Sequence, residues 1–161
     1  MNCNTYLEKC GGHSMAIGLS LKSENFEKFK EEFEKYTQNS CISDIIPIIN
    51  IDEQISLKEV NISAVKELQL LEPFGEANRM PLFLYKDLKI QSIRTLTEGK
   101  HLKLTLQDNN FYIDAIGFNL GELAEEYKIG DRIDVCGNLE INEYNMRESV
   151  QINLKDIRKA Y

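Results

Sequence analysis

The chain has 161 residues, enough for one ordinary domain or two small ones, and 42% are hydrophobic, which excludes disorder and leaves enough apolar surface for a core. No stretch approaches the roughly 18 consecutive apolar residues of a membrane span, and Met1-Asn2-Cys3-Asn4-Thr5 lacks the basic and apolar run of a signal peptide, so a cytoplasmic protein without a membrane partner is expected. The net charge of −7 excludes a broadly basic phosphate-gripping domain, so any contact with nucleic acid must be local or shared with another part of the protein.

Taken in order, Leu7-Glu8-Lys9-Cys10 reads as the end of a helix, broken by Gly11-Gly12. From Met15 to Leu21 the larger residues Met15, Ile17, Leu19 and Leu21 alternate with Ala16, Gly18 and Ser20, the period of a strand whose small residues admit a second backbone. A helix follows, with Ser23 as its N-cap and Glu24 at the positive end of its dipole. Its Phe26, Phe29, Phe33 and Tyr36 recur every three to four residues and are expected to face a core. A short apolar edge strand is expected over 45–51, with Pro47 at the edge. A second helix over 61–71 would turn Val65, Leu68 and either Leu70 or Leu71 inward. Cys3, Cys10, Cys41 and Cys136 are scattered without a C-x-x-C pair, which argues against a zinc site or disulfide framework and for reduced thiols.

The joint of the chain is Leu71-Glu72-Pro73-Phe74-Gly75-Glu76-Ala77-Asn78-Arg79-Met80-Pro81-Leu82-Phe83. Pro73 blocks continuation of the helix, Gly75 offers backbone freedom, and Phe74 and Phe83 are apolar anchors. The chain therefore divides into a first unit at 1–61, a connecting helix and joint at 62–81, and a second unit at 82–161.

The second unit reads as five strands. The first, over 82–96, alternates until Ile93 falls out of phase, which predicts a bulge near Gln91. Thr97-Glu98-Gly99-Lys100 is a turn. His101-Leu102-Lys103-Leu104-Thr105-Leu106-Gln107 carries leucines on one face and polar residues on the other. Asp108-Asn109-Asn110 is a hairpin turn into a third strand over 111–118. A short helix over 121–127 precedes a fourth strand over 131–141, a turn over 142–147, and a fifth strand containing Val150, Ile152 and Leu154. Five strands with a helix between the third and fourth is the order of an OB-fold, so the expected architecture is an α+β N-terminal unit followed by an all-β OB barrel. Such barrels bind single strands across strands two and three. Here that face would carry His101, Lys103, Thr105 and Gln107, with Arg94 and Lys100 nearby and Tyr112 and Phe118 as stacking surfaces, unless the aromatics are buried to close the barrel.

A second candidate for chemistry is Gly11-Gly12-His13. Two glycines let a backbone approach an anion closely, and a histidine beside them can hydrogen-bond a phosphate; a helix end with an incidental histidine would look the same.

Gly11-Gly12-His13-Ser14-Met15-Ala16-Ile17-Gly18 and Leu71-Glu72-Pro73-Phe74-Gly75-Glu76-Ala77-Asn78 together resemble the C-terminal half of RecJ, the bacterial exonuclease family specific for single-stranded DNA. Asp114-Ala115-Ile116-Gly117-Phe118 and Glu140-Ile141-Asn142-Glu143 match further, whereas Ile17, Ala77 and Arg79 depart from the family pattern. The resemblance implies the end of a DHH-associated domain followed by an OB domain: the substrate-binding part of a 5′-to-3′ exonuclease of DNA repair and recombination. It implies that Gly11, Gly12 and His13 contact the scissile phosphate, and that Mn²⁺ or Mg²⁺ belongs to a separate DHH catalytic domain, leaving the present chain inactive alone. The OB domain would hold single-stranded DNA, and a single-strand binding protein is a possible partner. The alternative is an OB-type protein-interaction module of another DHH-family phosphoesterase acting on short oligonucleotides.

Overall fold

A computed structural model describes residues 4–13, 16–39 and 47–160. The chain divides into two units, Met1–Ile48 and Ile49–Tyr161.

In the first unit, β1 (Lys9–His13) pairs antiparallel with β2 (Ala16–Ser20), with Gly12 opposite Ile17 and His13 opposite Ala16. Lys9 to His13 are thus a strand, not a helix end with a glycine break. A Cβ on Gly12 would collide with Ala16 O and lie 2.7 Å from Ile17 Cα, so the residue that would interrupt a helix is the one that lets these backbones meet. Met15, expected to open β2, and Ser14 before it lie outside the described residues. Ser23 starts a 3₁₀ turn, Ser23–Asn25, rather than capping with its side chain, and α1 (Phe26–Asn39) follows. The aromatic stripe of α1 is present, and Phe29 stacks on Phe33 with ring centroids 5.7 Å apart. Phe26, Phe33 and Tyr36 nevertheless remain about half exposed. Periodicity selects the apolar face of a helix, but it does not supply the layer that would cover it.

Of the edge strand expected over 45–51, residues 45–46 lie outside the described residues and 47–51 are irregular; in the second unit the pairing is made by β3 (Glu53–Gln54), parallel to β4 (Phe83–Leu96). Asp52 reinforces it, its Oδ2 accepting from Leu82 N at 2.8 Å. α2 (Ile62–Gln69) begins where Asn61 Oδ1 accepts from Ala64 N at 2.9 Å. Val65 is buried, but Leu70 and Leu71 both point to solvent, because the helix stops at Gln69 and its inward face ends with Leu68.

β4, β5 (His101–Asp108), β6 (Phe111–Gly117), β7 (Arg132–Tyr144) and β8 (Arg147–Lys159) form the barrel. The order is β4-β5-β6-β8-β7, closed by β4 pairing with β7, and β6 runs parallel to β8. That is the closed five-stranded Greek key of an OB-fold. The expected bulge at Gln91 is present as a register shift between Ile90 and Ser92. The helix between the third and fourth barrel strands is a 3₁₀ turn, Gly121–Glu125. The last two strands run beyond the expected turn at 142–147, since Asn145 and Met146 alone make it, both in the left-handed region.

Tyr85, Leu88, Ile90, Leu102, Leu104, Leu106, Ile113, Ile133, Val135, Ile152 and Leu154 fill the barrel, and Leu57 and Val65 close it. The joint belongs to this unit, not to a separate connector. Asn138 donates from Nδ2 to Met80 O and Pro81 O at 3.2 and 2.8 Å, Asn78 Nδ2 reaches Leu71 O and Pro73 O, and Phe83 enters the core. Phe74 lines a small apolar recess with Val65, Leu68 and Leu139. Gly75 is outside the left-handed region, so its expected backbone freedom is not used.

Candidate nucleic-acid interface

Alternation along β5 and β6 turns Leu102, Leu104, Leu106, Ile113 and Ala115 into the barrel and leaves Lys103, Thr105, Gln107, Tyr112 and Asp114 on the outer surface. Register then sets neighbours. Arg94 on β4 lies opposite Lys103, Thr105 opposite Asp114, and Gln107 opposite Tyr112.

The aromatics are not used to close the barrel. Tyr112 is 63% exposed, and its hydroxyl accepts from Gln107 Nε2 at 3.0 Å, which fixes the ring on the surface. Phe118, just beyond β6, is half exposed and meets the His101 ring edge-on at 5.3 Å. The two aromatics stand six positions apart, a span of about 20 Å along an extended chain.

The cations differ in availability. Arg94 and Lys100 are exposed and have no ion-pair partner among the described residues. Lys103 is engaged: its Nζ lies 2.9 Å from Asp114 Oδ2 and its side chain is only 15% exposed. His101 Nδ1 accepts from the backbone N–H of Asn119 at 3.0 Å, so that nitrogen ties the start of β5 to the end of β6. The turn carrying Lys100 is held down, with Gly121 N donating to Lys100 O at 3.2 Å, and a Cβ on Gly121 would collide with Gly99 O. Lys100 and His101 therefore stand at one end of the face and Tyr112 at the other, with Arg94 and Lys103 between.

The reading of the sequence passed over Asp114 as a member of this surface, and over the β7–β8 tip, where Tyr144, Met146 and Arg147 are exposed. Their signal was hidden because 142–147 read as one polar turn, whereas Tyr144 and Arg147 are a cross-strand pair.

Gly11, Gly12 and His13 belong to the first unit, and all three are exposed. His13 Nδ1 lies 3.4 Å from Ala16 O, a long contact within the hairpin. A Cβ on Gly11 would meet nothing within 4 Å, so this glycine, unlike Gly12, is not required by the hairpin itself. Among the described residues no group of three or more His, Cys, Asp and Glu side chains is arranged to hold a metal ion, and no helix is long and apolar enough to cross a membrane.

The family model described as the RecJ OB domain matches residues 51–156. The chain belongs to the RecJ OB-domain family. It is 31% identical over 156 residues to the single-stranded-DNA-specific exonuclease RecJ of Bacillus subtilis (strain 168), a match covering 96% of this chain and 20% of that protein. Against the RecJ of Thermus thermophilus it is 28% identical over 160 residues, covering 95% of this chain and 21% of the relative. The crystal structure of the Thermus thermophilus RecJ in complex with Mn²⁺ matches with a TM-score of 0.68 at 26% identity, over 98% of this chain and 23% of that one. The chain thus spans about a fifth of the length of these RecJ relatives.

Proposed function

We propose that this chain is the strand-holding part of a RecJ-type exonuclease specific for single-stranded DNA. The observation that carries the reading is the outer face of the barrel: an exposed Tyr112 fixed by Gln107, a second aromatic at Phe118, and the uncommitted cations Arg94 and Lys100 between and beside them. Stacking on one aromatic contributes about 1–3 kcal/mol per base and tolerates any sequence. The two cations supply the local phosphate contacts that an acidic chain can still make. The curated RecJ relatives carry the name single-stranded-DNA-specific exonuclease, which supports the same substrate.

Gly11, Gly12 and His13 form the second contact, at the phosphate to be cut, and the first unit is the end of a DHH-associated domain. The exposure of all three residues and the open space beside Gly11 support this. The metals of the reaction, Mn²⁺ or Mg²⁺, are held by a DHH catalytic domain outside this chain, so the chain binds without cutting. The family match disfavours a different oligonucleotide-cleaving phosphoesterase. Docking of a single-strand binding protein is a second reading, favoured by the net charge of −7 and by the exposed Tyr144 and Met146.

The test is fluorescence anisotropy of a labelled dT oligomer with the purified chain. Affinity that falls steeply between about 50 and 200 mM salt, with no product on adding Mn²⁺, is expected. No binding at low salt would favour the partner reading, and cleavage would refute the division of labour.

A further inference from the structure

We propose that Asp114 is a built-in brake on strand binding: it occupies Lys103, keeping a cation in the centre of the face from gripping phosphate. The inference rests on the reading of this face as a single-strand site.

Three observations converge. Lys103 Nζ is 2.9 Å from Asp114 Oδ2, and the lysine side chain is largely covered while that of Asp114 is 50% exposed. The carboxylate is also held from its other oxygen: Thr105 Oγ1 donates to Asp114 Oδ1 at 3.0 Å, and Ser92 Oγ donates to Thr105 Oγ1 at 2.9 Å. Asp114 is thus the end of a hydrogen-bonded row across three strands. Finally, Arg94 lies directly opposite Lys103 in register. Two cations at facing positions repel, and the acid on the far side of Lys103 offsets that repulsion without neutralising Arg94. Across β4, β5 and β6 the face therefore reads cation, cation, anion.

A phosphate approaching Lys103 must displace a carboxylate already in place, so this lysine adds little net affinity. A strand held by Arg94, Lys100 and stacking alone is held loosely, which suits a surface along which DNA must move between cuts.

The experiment uses the whole 161-residue chain and a fluorescent dT oligomer of about 16 nucleotides, the upper end of the strand length one OB barrel covers. Asp114→Asn keeps the shape and the oxygen that accepts from Thr105. It is expected to tighten binding about five- to tenfold at about 50 mM salt and to steepen the salt slope by about 0.7, the value of one further phosphate contact on a single strand. Adding Lys103→Gln to Asp114→Asn should abolish the gain, whereas relief of simple repulsion between Asp114 and phosphate would persist in the double variant. Asp114→Glu, which keeps the charge, should tighten binding less than Asp114→Asn. Glu67→Gln on α2 controls for the change in net charge. If the wild-type chain binds and Asp114→Asn binds no better, or if the gain survives removal of Lys103, the brake is overturned. If neither protein binds at low salt, the strand-site reading falls and takes the brake with it. Should only Asp114→Asn bind, the brake stands as a complete block.

Discussion

At the scale of single residues, the barrel interior contains one polar misfit. Tyr85 is fully buried, and its hydroxyl has no hydrogen-bond partner among the described residues. Leaving such a group unpaired costs about 1–3 kcal/mol. Tyr85→Phe is therefore expected to be neutral or to stabilise by about 1 kcal/mol in chemical denaturation, and a comparable loss would reveal a hidden partner. Burial also pushes the Tyr85 phenol well above its ordinary value near 10. Tyr127 and Cys136 shift the same way, each chiefly through burial. In each case the unfolded chain gives up its proton first, so stability present below the unfolded value is lost as pH rises past it. The fall of Tm from about pH 9.5 upward should be shallower in Tyr85→Phe than in the wild type.

The two adjacent glycines of β1 differ in what surrounds them. A Cβ at Gly12 collides with β2, so Gly12→Ala should disturb the hairpin, seen as lost amide protection over Lys9–His13 and Ala16–Ser20. A Cβ at Gly11 meets only open space, so Gly11→Ala should leave that protection intact. In a full-length relative carrying the same motif, Gly11→Ala should slow cleavage if the face beside Gly11 receives the phosphate. Unchanged turnover would remove Gly11 from the site.

At the scale of elements, the sequence was most legible where a local rule agreed with the final pairing. β5 alternates without a fault, and the phase slip at Ile93 marks a real bulge beside Gln91. It was least legible where a partner segment, and not local pattern, decided the outcome. Lys9–His13 contains two glycines and becomes a strand only because Ala16–Ser20 returns alongside it. Glu53–Gln54, and not the more apolar 47–51, pairs with β4, where Asp52 binds the Leu82 amide thirty residues later. The candidate site follows the same division. Alternation alone placed Lys103 outward but left Tyr112 open between stacking and closing the barrel, and the ion pair that occupies Lys103 depends on the β5–β6 register.

The joint shows how an element without regular structure is held. Asn138 is buried on β7, and its amide satisfies the carbonyls of Met80 and Pro81. Asn138→Ala should cost about 1–3 kcal/mol, because it leaves two carbonyls short of a donor and a gap beside the strand. The loss should be local in character. Limited proteolysis should accelerate within 71–81 before the barrel itself opens, whereas uniform acceleration would mean that Asn138 supports the whole barrel.

At the scale of the whole molecule, every residue of the buried cluster lies between Leu57 and Ile157, inside the second unit. The hydrophobic effect scales with the apolar area removed from water, so the stability of the barrel should reside in its own sequence. A chain starting at Ile49 retains the whole cluster, the β3–β4 pairing, the Asn61 cap and the Asn138 clamp. It is expected to unfold in one cooperative transition, with a Tm within a few degrees of that of the 161-residue chain. Arg94, Lys100, Lys103, Asp114 and Tyr112 all remain in it, so its affinity for a dT oligomer and the effect of Asp114→Asn should be retained as well. If the shorter chain loses cooperativity, 1–48 supplies stability that the buried cluster does not reveal. If it folds but no longer binds, the first unit contributes to the grip on the strand, and the barrel face is only part of the site.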